Sequence, residues 1–64
     1  MKLFMIEKEN YTEIKDITDL EKSLIFNSKY IYYNEKVFEV ISRASAFEKE
    51  GLHFYIYVKE ENER

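Results

Sequence analysis

The chain has 64 residues, room for one domain (1–64), with no cysteine, one histidine and one glycine. That excludes disulfides, thiolate zinc sites, a His-rich metal site and a Gly-rich phosphate loop. The 13 acids and 10 bases give a net charge of −3, a mixed balance that argues against nucleic-acid binding, which needs a basic face.

A chain of this size buries only about 60% of its unfolded surface, so its stability must come from packing. Five Phe and six Tyr supply that packing, since each large ring can bury about 150–250 Å². With one Gly and no Pro, the turns fall to Asn, Asp and Ser.

The opening run KLFMIE (2–7) is a short apolar segment of strand length, and YTEIK (11–15) can pair back on it through a turn at Asn10. Thr18-Asp19-Leu20-Glu21 reads as a capping box. The Thr hydroxyl can accept from the Glu21 N–H, and the Glu carboxylate can reach back to the Thr18 N–H. Asp19 suits the positive end of a helix dipole. The predicted helix runs over 19–26, with Leu20, Leu24 and Ile17 on one face, and Asn27-Ser28 stops it.

KYIYY (29–33) is strongly strand-forming. The stretch 34–51 has two readings. As a strand, KVFEVISR (36–43) is β-branched and aromatic and turns back on 29–33 through Asn34-Glu35, where Glu suits a positive φ poorly. As a second helix over 35–50, Val37, Val40, Ile41, Ala44 and Phe47 share a face, and Gly51 and Leu52 complete a Schellman ending. LHFYIYV (52–58) is the clearest strand. Leu52, Phe54, Ile56 and Val58 lie on one face, and His53, Tyr55 and Tyr57 on the other.

The expected fold is therefore α+β: a small antiparallel sheet able to curl toward a barrel, with one short helix. Strand 52–58 is expected to be central or well paired, since its run is uninterrupted. The expected core is Leu3, Met5, Leu20, Leu24, Ile31, Val40, Phe54, Ile56 and Val58. The charged end 60–64 is expected to fray.

No segment approaches the roughly 18 apolar residues of a membrane span. The opening MKLFMIEKEN lacks the long apolar stretch of a signal peptide, so a cytoplasmic location is expected.

The residues for chemistry are few. His53 lies mid-strand, the acids alternate with lysines as on a solvated face, and no EF-hand or HExxH pattern occurs. We expect no catalytic residues, no metal site, no cofactor and no enzyme.

The tyrosines are the informative feature. With 29–33 and 52–58 in one sheet, Tyr30, Tyr32, Tyr55 and Tyr57 can share the outer face, with His53 beside them. Tyrosine offers large contact area at low entropic cost, which favours a protein-binding surface. A homodimer that buries the same residues is the alternative. Base stacking on the aromatic face is a third reading, weakened by the scattered positions of Lys29, Lys36, Arg43 and Lys59.

The segment from Tyr33-Asn34-Glu35-Lys36 through Arg43, followed by Leu52–Val58, resembles the closing strands of short phage and prophage proteins. That resemblance implies a mobile-element protein that acts as an inhibitor by binding a host or defence protein.

Overall fold

The structure is a computed structural model that describes residues 1–61. Its elements are β1 (Lys2–Glu7), β2 (Asn10–Asp16), α1 (Asp19–Phe26), β3 (Tyr30–Tyr33), β4 (Lys36–Glu48) and β5 (Gly51–Glu60). The five strands form one sheet in the order β2-β1-β5-β4-β3, curled into a half-barrel with the helix on its inner side. The α+β, barrel-like architecture agrees with the sequence pattern, and β5 is the central strand.

The sheet is mixed, where an all-antiparallel one was expected. β1 and β5 run parallel, with Leu3 beside Phe54 and Met5 beside Ile56; the other three pairings are antiparallel. The reason is burial. The first and last strands carry the densest apolar alternation, and placing them side by side in the middle of the sheet buries both. Phe54 and Ile56 are 1% exposed and anchor a core with Leu3, Met5, Ile17, Phe38, Val40 and Val58.

Residues 36–48 are one long strand, so the second-helix alternative over 35–50 is excluded. The Phe47–Leu52 contact that a helix ending would have made exists as a cross-strand pair, and Glu48 faces Gly51 at the hairpin end. Gly51 takes φ +132, which a side chain would resist. The β3–β4 hairpin closes through Asn34 (φ 56) and Glu35 (φ 66), so the left-handed turn forms despite an acidic residue at its second position. The β1–β2 reversal falls at Lys8 (φ 57) and Glu9, one to two residues before the expected turn at Asn10, which is already the first residue of β2.

The capping box forms as the sequence requires. Thr18 Oγ1 accepts from the Glu21 N–H at 3.1 Å, and Glu21 Oε1 accepts from the Thr18 N–H at 3.0 Å. Lys15 Nζ adds a 3.0 Å contact to Glu21 Oε2. The Thr18 amide and then Lys15 hold the Glu21 carboxyl below its usual range.

The helix packs by a different face from the one expected. Leu20 is 70% and Leu24 62% exposed, and no helix residue is fully buried. Ile17, whose N–H donates to the Met1 carbonyl at 2.7 Å, and Ile25 make the core contacts. The row 17, 21, 25 faces the sheet, while Leu20 and Leu24 sit about 100° away around the helix. Ile31 is half-buried against the core. Glu60 belongs to β5 and the Glu61 N–H donates to the Val37 carbonyl at 2.8 Å, so the first part of the expected frayed end is ordered strand. Positions 62–64 lie outside the described residues.

Candidate interaction face

The outer face of the sheet, opposite the core, is assembled by strand alternation. Where Leu3, Met5, Phe54, Ile56 and Val58 point inward, Lys2, Phe4, Ile6, His53, Tyr55 and Tyr57 must point outward. The pairings lay them in rows. Glu13, Phe4, Tyr55 and Ala44 form one row; Tyr11, Ile6, Tyr57 and Ser42 form the next; Asp16, Lys2, His53 and Ala46 lie at the other end.

These rows make a second apolar layer. Ile6 is 4% exposed yet stands apart from the main core, so its cover comes from its outward neighbours, Tyr11 and Tyr57 foremost. The Phe4 ring stacks on Tyr55 with centroids 5.3 Å apart and 26° between planes, and lies 5.1 Å from the His53 ring. His53 Nε2 is buried and accepts or donates no hydrogen bond; Glu50 Oε1 is its nearest carboxylate oxygen, at 3.6 Å. Packing around Tyr55 raises its phenol above the usual tyrosine value, and the carboxylate of Glu48 adds to the effect. Tyr11 and Tyr57 keep exposed ring surface at the layer's edge. Beyond them Ala44 and Ala46 leave β4 low and flat.

The sequence expectation grouped Tyr30, Tyr32, Tyr55, Tyr57 and His53. All five fall on the outward alternation, but they form two sets. Tyr55, Tyr57 and His53 sit together on β5. Tyr30 and Tyr32 lie two strands away on the β3 edge, across from Glu39 and Val37. The row through Tyr30 continues to Glu39 and Lys59, which put two charged positions between the sets. The sheet's curl turns the two sets further apart.

Sequence reasoning missed Phe4, Ile6 and Tyr11. The signal was present in the alternation of 2–7, where Phe4 and Ile6 take the opposite parity from Leu3 and Met5. Only the parallel β1–β5 pairing brings them against Tyr55 and Tyr57.

On the inner side, an apolar slot of about 260 Å³ opens between the helix and the two edge strands, over Leu3 and Ile56, with Ile14, Leu24, Ile31 and Tyr33 among its walls. It is the unclosed seam of the half-barrel. The Lys15–Glu21 ion pair stands at its rim. Among the described residues no helix is long and apolar enough to cross a membrane.

Comparison with known proteins finds no matching family model, no matching curated protein and no matching solved structure.

Proposed function

We propose that the chain is a non-enzymatic protein-binding module whose contact surface is the outer face of β1 and β5. The observation that carries this reading is Ile6, buried between Tyr11 and Tyr57 in the row beside the Phe4–Tyr55 stack. It holds a group of aromatic rings in fixed positions before any partner arrives. Rigid aromatic anchors lose little entropy on binding, and tyrosine hydroxyls add hydrogen bonds at the edge. The flat Ala44 and Ala46 beside them let another surface approach closely.

Charge supports a protein over a nucleic acid. Lys2 lies 3.7 Å from Glu13, and Asp16 and Glu13 border the same rows, so the face lacks the net positive potential that phosphates require. In its finer form the partner is a protein of a host cell or its defences, and the module works in the cytoplasm as a phage-type inhibitor. That form rests on the resemblance of residues 33–58 to phage and prophage proteins.

The test is affinity capture from lysate of the source cell by the wild-type chain and by Tyr11→Arg and Tyr57→Arg. Both rings keep exposed surface, so the face gains charge, and circular dichroism checks that each variant stays folded with Ile6 partly uncovered. A captured protein should be lost with both variants and retained with Leu20→Arg on the far side. Capture that survives both tyrosine changes rules the face out.

A further inference from the structure

We propose that the chain forms a two-fold dimer by antiparallel pairing of the open half of β4 with the same segment of a second copy.

The open half follows from topology. β3 pairs only with Lys36–Glu39, and the Lys29 carbonyl takes the Val40 N–H at 2.8 Å. Past that point, among the described residues, no strand lies along the second edge of Ile41–Glu48. A bulge between Val40 and Ser42 sets which main-chain groups face this edge. Before the bulge, the even-numbered residues aim at β3. After it, Ser42, Ala44, Ala46 and Glu48 bond to β5 in step with the Glu48–Gly51 hairpin, which leaves the N–H and C=O of Arg43, Ser45 and Phe47 aimed outward.

Natural edges are guarded by charge, proline or shortness. The β2 edge carries Glu13, Lys15 and Asp16, and the β3 edge is four residues long. The open half of β4 reads ISRASAFE, with one base near its start and one acid at its end. It also carries Phe47 at 90% exposure, the most exposed large apolar side chain among the described residues.

The segment is complementary to itself. With Ser45 on the two-fold axis, Arg43 lies opposite Phe47 of the second copy, and Ala44 opposite Ala46. Ser42 then meets Glu48, and no two like charges face each other. About six main-chain hydrogen bonds form, two at each pair of outward-facing residues. Arg43 and Phe47 share the inward parity, so the second copy's Phe47 ring comes against the Arg43 guanidinium. That guanidinium already lies 5.4 Å from the Phe26 ring and donates through Nη2 to the Ser28 carbonyl at 2.8 Å, while its Nε is buried without a partner. Phe26 is itself exposed, so the arriving ring finds a cation and a second ring. Because the same patch serves both copies, the contact closes as a dimer and does not propagate.

The test combines sedimentation velocity with cross-linking. The wild-type chain should pass from monomer to dimer as concentration rises. Phe47→Lys should weaken the dimer by about tenfold or more, because it places two cations against each other at each end. Its circular dichroism should be unchanged, since the side chain is exposed. At a hydrogen-bonded pair the two Cα atoms lie about 5.5 Å apart, within disulfide reach. The chain has no cysteine of its own, so oxidised Ser45→Cys should form a covalent dimer much faster than the exposed helix control Ser23→Cys. Tyr57→Arg should leave the dimer intact, which separates this contact from the outer-face site. A chain monomeric at every concentration, a dimer indifferent to Phe47→Lys, or equal cross-linking of Ser45→Cys and Ser23→Cys would each overturn the proposal.

Discussion

Replacing Ile6 and Leu20 separately with alanine distinguishes the two-layered sheet from the simpler amphipathic reading of the sequence. A 64-residue domain has roughly 3–10 kcal/mol of stability in total. Ile6 is 4% exposed, and an Ile→Ala change at a buried position costs about 2–5 kcal/mol as transfer and cavity terms combined. Its covering rings, Tyr11 and Tyr57, are exposed on their far sides and can lean into the space, which puts Ile6→Ala near the low end, about 2 kcal/mol. Leu20 is 70% exposed, so Leu20→Ala removes little buried area and should stay within about 0.5 kcal/mol. Urea unfolding followed by circular dichroism reads both. With a slope near 1 kcal/mol per molar for so small a chain, Ile6→Ala should lower the midpoint by about 2 M and Leu20→Ala by less than about 0.5 M. Equal losses, or a larger loss at Leu20, would mean that the helix packs through its leucines and that the outer layer contributes nothing.

Three further outcomes follow from particular residues. Glu35→Gly should stabilise the chain by about 1 kcal/mol, because the left-handed conformation at φ 66 is costly for a residue with a Cβ; an unchanged or lower unfolding midpoint would count against strain in this turn. Thr18→Ala should cost about 1 kcal/mol, and acid should weaken the same cap. The Glu21 carboxyl is lowered in the folded chain, so its contribution is present above the unfolded value and is lost as pH falls through the folded one. Helical circular dichroism should therefore decline below about pH 4 more in the wild type than in Glu21→Gln. At the alkaline end the sign reverses. The Tyr55 phenol is raised, so its contribution holds below the unfolded value and is lost as pH rises beyond about 10; Tyr55→Phe should remove a late-ionising component from an ultraviolet titration.

The local signals in the sequence were strong enough to place most elements. Thr18 and Glu21 satisfy each other's backbone partners without help from the rest of the chain, so the helix start is legible from four residues. Leu52–Val58 alternates without interruption, and a strand buried on one face must do so. Pairing direction was not legible. Nothing within residues 2–7 or 52–58 says that they lie side by side, because that choice depends on the total area buried by the finished sheet. The helix face was misread for a related reason. Leu20 and Leu24 have the right spacing for a core stripe, but the Ile17 amide bonded to the Met1 carbonyl turns the helix so that Ile17 and Ile25 face inward. Phe4 and Ile6 were hidden behind the same missing contact. Their outward parity looks like solvent exposure until β5 brings Tyr55 and Tyr57 against them.

The outer face and the open half of β4 meet at Ala44 and Ala46, and this adjacency has a consequence for binding. In the proposed dimer a two-fold axis through the Ser45 pair would stand perpendicular to the sheet, so the outer faces of both copies would point the same way. Small residues at 44 and 46 would then form a low seam between two aromatic groups, each built on Phe4, Tyr55 and Tyr57. A partner with two matching patches could engage both, and the second contact would form at high effective concentration. The two proposed sites would then be coupled in affinity though separate in residues. Phe47→Lys should leave each aromatic group able to bind while removing the avidity, so a two-patch partner captured by the wild type should dissociate faster from this variant. A one-patch partner should dissociate at the same rate from both. Surface-immobilised wild type and Phe47→Lys, compared at equal aromatic-face density, separate the two cases by off-rate alone.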